Sequence, residues 1–365
     1  MSHAAPTADT GDANRERSRF ATELRDALSG RAILLVLGVL ALQLGFVLSY
    51  IGAFHAPTPH RIPVAVVAPA AVADQLVRQL DELDGEPIRA RTADSADQAR
   101  ALVLDRTVDA AVVVDTGGTT DTLLVASASG PAVSDTAAQI AQRVEAARNR
   151  EVTVEDILPP AAGDGRGLSS FYLALGWIIG GYLVAAILGI AGGARPANTR
   201  RTLIRLGALA LYAMASGLGG ALIVGPVLDA LPGHHVQLWL IGALVVFAAG
   251  AATVAFQVVL GIAGIGVTIL AFVILGNPSA GGAYPAPLLP PFWRAIGPWL
   301  PPGAATTAIR NTVYFEGHAT TGPLWVLAGY AIGGAVLALV TALLRQRHTA
   351  EPSHGRHEPD EPRTT

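Results

Sequence analysis

Few residues of this chain could do chemistry, and their spacing argues against most of it. Asp115 and Asp121 bracket the run DTGGTTDT. Its Asp-Thr-Gly triplet is the kind that carries the carboxylate of an aspartic peptidase, but Gly-Gly-Thr-Thr between two aspartates is also the composition of a tight turn. The turn is the simpler reading. His55 and His60 lie just after an apolar run, and His234 and His235 sit in a loop. Two adjacent histidines do not converge easily on one ion. There is no HExxH run, no Ser–His–Asp arrangement with a supporting signature and no pair of acids at a convincing spacing. All 25 basic residues are Arg, so a GxxxxGK[ST] phosphate loop cannot be written. The glycines of GIAGIG (261–266) lie inside an apolar run with no polar strand before them. The chain has no Cys, hence no thiolate nucleophile, disulfide or cysteine metal site. The expectation is a protein with no catalytic, cofactor-binding or metal-binding residue, and one that is not an enzyme.

The elements around these residues indicate a membrane protein. Hydrophobic residues make up 51% of the chain and charged residues 15%. A bilayer-crossing helix needs about 20 apolar residues. Ala32–Ile51, Phe171–Gly192, Leu206–Leu228 and Gly322–Leu344 each reach that length without an ionised side chain. Residues 236–276 are likewise free of charge. As one helix they would reach about 60 Å, twice the hydrocarbon thickness, so two spans with a turn near 257–266 are expected. The total is six. Arg15, Arg17, Arg19, Arg25 and Arg31 precede the first span; Arg195, Arg200, Arg201 and Arg205 separate the second from the third; Arg345 and Arg347 come after the last. Arginine-rich flanks stay in the cytoplasm, which puts both termini inside and residues 55–168 outside. The exclusive use of Arg fits a GC-rich, bacterial genome, and the expected location is its plasma membrane. Residues 1–13 and 348–365 are polar and read as disordered. Residues 14–31 carry a narrow apolar stripe (Phe20, Leu24, Leu28), which suits a helix lying in the inner interface or an extension of the first span.

Residues 55–168 alternate strand and helix patterns, from the buried-strand run IPVAVVA (62–68) to EVTVEDI (151–157). Such alternation indicates a small α/β layer, with Ser95 placed to cap one of its helices. Within the spans, small residues recur every four positions at Gly176 and Gly180, at Gly217, Ala221 and Gly225, and at Gly329 and Gly333. They suit close helix packing within one bundle or along a dimer seam. No ionisable side chain falls inside a span, which disfavours ion-coupled transport.

The stretch 277–321 is unlike the rest. Between Pro278 and Pro302 it holds eight prolines and four aromatics, with Arg294 the only charge before Arg310. Prolines fix φ and lower the entropy of ordering. Gly281, Gly282 and Pro290 break regular structure, while Phe292, Trp293 and Trp299 supply apolar faces and Pro301–Pro302 stiffen the run beyond them. A re-entrant hairpin dipping into the outer leaflet is expected. Its tryptophans would sit in protein or lipid, since irregular backbone is tolerated at that depth only where protein covers it or a cavity is lined.

This order of parts resembles the type-2 ABC-transporter permeases: one span, an external α/β insert, five more spans and a broken segment before the last. The run NPSAGGAYPAPLLPPFWRAIGPWLPPGAATTAIRNTVYFEG (277–317) is most similar to their phage-infection-protein-like branch of bacterial membrane proteins. The resemblance implies an exporter permease without catalytic residues, dimeric, moving an amphiphile such as a lipid, glycolipid, cell-wall precursor or drug. It also implies a separate ATPase, docked on the 14–31 helix and on the loop bearing Arg195, Arg200, Arg201 and Arg205. Retention of positive charge inside would account for that loop equally well. The rival expectation is an envelope protein that presents its outer domain to a phage, the cell wall or a secretion complex. Nucleic acid is not expected as a partner.

Overall fold

The computed structural model describes residues 19, 20, 23, 29–193 and 199–350. The polar N-terminus 1–13, most of the 14–31 stretch, Arg195 and residues 351–365 lie outside the described residues. Among those described, five helices are long and apolar enough to cross a bilayer: Ala32–Phe54, Ser169–Ala191, Thr199–Val227, His235–Leu260 and Thr321–Gln346. The chain is a multi-pass membrane protein. The first helix, α1 (Gly30–Phe54), lies across the boundary between two units of the chain, one ending at Leu48 and one beginning at Ser49. Its outward-facing side chains are almost all apolar.

The apolar run 236–276 breaks where its glycines loosen the helix, at Gly261, which adopts φ 69°. The piece after the break is shorter than a full span. Ala263–Gly276 is a helix of 14 residues, about 21 Å long against a hydrocarbon core of about 30 Å. Its last eight residues, Ile269–Gly276, are wound as a π-helix. The final helix continues to Ala350, so residues 348–350 extend it rather than begin a tail.

In the second unit the helix His235–Leu260 is the most buried of the five. Its Gly- and Ala-rich sequence lets neighbours come close. A β-carbon on Gly181 of helix Ser169–Ala191 would lie 2.4 Å from the Val246 carbonyl oxygen, and one on Gly217 would lie 2.5 Å from the Ala243 nitrogen. Gly176, Gly329 and Gly333 instead face open space. The four-residue pattern therefore marks a packing seam in one place and an open groove in another.

The inserted domain is a five-stranded sheet in the order β2-β1-β3-β4-β5, with β1 (Ile62–Val67), β2 (Ile88–Thr92), β3 (Ala110–Val113), β4 (Thr120–Val125) and β5 (Glu151–Asp156). Among these strands only β3 and β4 pair antiparallel, joined through the DTGGTT turn. Strand side chains alternate between faces. Ile62, Val64 and Val66 meet Leu76 and Leu80 of α2 (Ala70–Asp81) and Val133 and Ala137 of α4 (Pro131–Ala147) on one face. Ala65, Ala111 and Leu124 meet Ala99 and Val103 of α3 (Ala96–Leu104) on the other. Ser95 caps α3 by accepting the Gln98 N–H at 3.1 Å.

Asp115 and Asp121 are structural. Asp115 accepts the N–H of Gly117 at 2.8 Å, closing the turn. Asp121 is fully buried and accepts the Asp115 N–H and both Nε and Nη2 of Arg150. Burial alone would raise the Asp121 carboxyl, but the Arg150 guanidinium and the Asp115 N–H hold it below its ordinary value. A depressed carboxylate adds stability above its unfolded pKa, about 3.9, and loses it as the pH falls through the folded value. Arg150→Ala would strand the buried charge and is expected to cost about 3–5 kcal/mol. Thermal unfolding of the purified chain at pH 7 reads this directly. A melting temperature equal to wild type would show that Asp121 needs no partner.

Candidate functional site

After Gly276 the chain does not leave the molecule. Tyr284 and Leu288 pack into the sheet core beside Ile62 and Val64, and the His60 N–H donates to the Pro287 carbonyl at 2.9 Å. Pro290 and Pro291 then start a short helix, α9 (Pro291–Ile296), after the helices Ser169–Ala191 (α5), Thr199–Leu222 (α6), His235–Leu260 (α7) and Ala263–Gly276 (α8). Pro301 and Pro302 start α10 (Pro301–Tyr314). Proline suits the first helical turn because its missing N–H would have no partner there. The helix α10 buries Ala304, Ala305, Ala308 and Ile309 in the core with Trp177, Phe272 and Leu327. At its far end the Tyr314 hydroxyl donates to Asp164 at 2.6 Å and accepts the Ala161 N–H at 3.2 Å. Phe315 packs under the second face of the sheet. The segment is thus a wedge shared by the inserted domain and the spans.

The expected hairpin residues are placed in different ways. Gly281 takes φ 72° and its carbonyl accepts from Arg310 at 3.2 Å. Gly282 is buried against the ring of Phe171. Pro301 and Pro302 are buried, and Pro290 is half-buried. The aromatic side chains divide. Trp293 is half-buried, donates Nε1–H to the Ser49 hydroxyl at 3.1 Å and lies on Gly52. Phe292 and Trp299 project outward, 52% and 71% exposed. Trp293→Ala should therefore cost about 2–3 kcal/mol, under the 3–5 of a fully buried site, while Trp299→Ala should stay within about 0.5 kcal/mol. Melting temperatures in one detergent test the order of the two. Equal losses would mean that both rings pack alike.

The four arginines of the loop between the second and third spans do not form one surface. Arg200 and Arg201 are exposed on the first turn of α6. Arg205 is buried, and its Nη2 donates to the Gly193 carbonyl just past the end of α5. That contact ties two helix ends together. Arg195 lies outside the described residues.

Sequence reasoning passed over Arg310. It is 5% exposed. Nη1 reaches the Gly281 carbonyl, whereas Nε and Nη2 have no hydrogen-bond partner among the described residues. Burial lowers its pKa to about 10, so the group remains a cation at neutral pH. It lines a cavity of about 390 Å³ between the inserted domain and the wedge, together with Arg106, Asp109, Ser129, Thr307 and Trp299. Arg106 lies over the Phe315 ring at 4.8 Å and contacts Asp109 at 3.4 Å. Burial raises the Asp109 carboxyl, and the Arg106 charge opposes that. One signal for the site was visible: a lone arginine inside PPGAATTAIRNTVYF (301–315), a run otherwise suited to burial.

Beside this cavity runs an apolar groove of about 630 Å³ along α11 (Thr321–Ala350). Gly329 and Gly333 keep it open, Gly334 packs against the Ala251–Ala252 backbone at its floor, and Trp299 and Trp325 flank it. Trp299, Gly322 and Val326 line both spaces, so the cavity and the groove adjoin across these three residues. Among the described residues no group of three or more His, Asp or Glu is arranged to hold a metal ion. No family model, no curated protein and no solved structure matches this chain.

Proposed function

We propose that this protein is the permease subunit of an ABC-type exporter of the type-2 superfamily, moving an amphiphilic substrate across the bacterial plasma membrane. One observation carries the reading: the wedge 277–321 joins the inserted domain to the spans beside a cavity that holds Arg106, Asp109 and Arg310 and adjoins an apolar groove. An amphiphile needs both environments at once. In this reading Ala263–Gly276 is the fifth of six crossings, shortened because the wedge fills the outer part of its path. Both termini are cytoplasmic by the arginine rule. A separate ATPase supplies the work and docks at the inner end, where Arg200 and Arg201 are exposed. A homodimer would complete the transporter.

The test is capture of an ATPase with the chain in mild detergent, identified by mass spectrometry, followed by Arg200→Glu with Arg201→Glu. The paired change should reduce capture and export while leaving topology intact. Topology is read in the same cells from single cysteines, the native chain having none. Thr116→Cys on the exposed β3–β4 turn should react with an impermeant maleimide, and Thr199→Cys should not. If no ATPase is captured, and deletion leaves efflux and lipid composition unchanged, the inserted domain becomes an envelope interaction surface and the exporter reading fails.

A further inference from the structure

The geometry points to a binding site for the acidic headgroup of a membrane lipid in the Arg310 cavity, with its acyl chain lying in the groove along α11. An unpaired buried guanidinium is expensive unless something satisfies it. Arg310 presents Nε and Nη2 without partners among the described residues, and an Nε/Nη edge matches two oxygens of a phosphate or carboxylate. The charges around the cavity favour an anion. Its lining holds Arg310 and Arg106 against the single carboxylate of Asp109, which already faces Arg106. Asp164 is nearby, but its oxygens accept from Tyr314 and from the Ser169 N–H at 2.8 Å. It forms no ion pair with Arg310 within 4 Å.

The occupant is a lipid rather than a free anion because the groove adjoins the cavity, the two sharing Trp299, Gly322 and Val326 in their linings. The groove itself is lined by Ala, Gly, Val, Leu and aromatic side chains. Its volume of about 630 Å³ lies within the range of ligand pockets, about 300–1,000 Å³. As a statement about cargo this rests on the exporter reading; as a statement about binding it does not.

The purified full chain would be placed in phosphatidylcholine nanodiscs with increasing phosphatidylglycerol, and bound lipid counted by native mass spectrometry. Phosphatidylglycerol should be retained over phosphatidylcholine, and inorganic phosphate alone should neither bind measurably nor displace it. Arg310→Met should weaken retention by about 10- to 100-fold, the value of one charge-assisted pair, and Arg310→Lys should recover part of it. Gly329→Leu guards against misfolding, since a side chain there meets open space. It should obstruct the groove and reduce retention without lowering the melting temperature. Equal retention of the two lipids overturns the proposal, as does full retention by a folded Arg310→Met. If Gly329→Leu splits a dimer and leaves lipid retention intact, the groove is an interface between copies and the proposal fails. Lipid retention without a captured ATPase would sink the exporter reading and leave the site standing.

Discussion

Gly303→Val is expected to prevent the wedge from forming, at a cost of about 3 kcal/mol or more. A β-carbon at Gly303 would lie 2.2 Å from the Gly297 carbonyl oxygen, and one at Gly297 would lie 2.2 Å from the Ser279 carbonyl oxygen. Three backbone segments therefore stack through two glycines at the point where α10 begins. The obstacle in each case is main chain held on both sides by proline-fixed turns, which cannot swing away as a side-chain tip could. Overpacking a tight site costs about 1–3 kcal/mol, occasionally more, and this site offers little relief. The measurement is the yield and melting temperature of monodisperse protein, with Gly333→Val as control because its β-carbon would meet open space. If Gly303→Val melts with the control, the three segments are not in contact.

Asp164→Ala is expected to loosen the inserted domain from the spans. The residue is 1% exposed, and its carboxylate accepts from the Tyr314 hydroxyl at 2.6 Å and from the Ser169 N–H at 2.8 Å. These bonds fasten the linker to the end of α10 and to the first turn of α5. Hydrogen bonds to a charged group contribute about 1.5–3 kcal/mol each, so losing both costs about 3–6 kcal/mol. Tyr314→Phe removes one of them and should cost about half as much. Because the residues touch, the double variant should lose less than the sum of the singles. Burial, and then the Asp164 carboxylate, push the Tyr314 hydroxyl well above its ordinary pKa, so the phenol stays a donor across the accessible pH range. Strictly additive losses in the melting data would mean that the bond contributes nothing.

Much of this architecture comes from local pattern. Each crossing helix is built on a charge-free run, and length alone separates that run from the polar segments, which is why charge and hydropathy delimit four of the five to within a few residues. The third begins seven residues before its charge-free run, because the Arg-bearing first turn of α6 reads as loop. The strands of the inserted domain come from short apolar runs such as IPVAVVA that alternate with helix patterns, and the DTGGTTDT run behaves as the turn its composition suggests. Proline spacing implies an ordered segment at 277–321, and it is ordered.

What the sequence could not decide was what each apolar or charged face would meet. Tyr284 and Leu288 belong to the proline-rich run expected as a hairpin, yet they complete the sheet core, because hydrophobicity is the same for a protein neighbour and a lipid one. Trp293 and Trp299 are chemically equivalent in the sequence, yet one lies on Gly52 and donates to Ser49 while the other projects outward. Ala263–Gly276 stops short of a full span, although the apolar run that contains it is long enough for two. Arg310 became a site through three-dimensional enclosure: its hydrogen-bond partner, the Gly281 carbonyl, lies 29 residues earlier in the chain, and it lines a space bounded by the inserted domain, the wedge and α11 together. Local pattern specifies which segments leave water. Only tertiary packing specifies which polar atoms they leave without a partner.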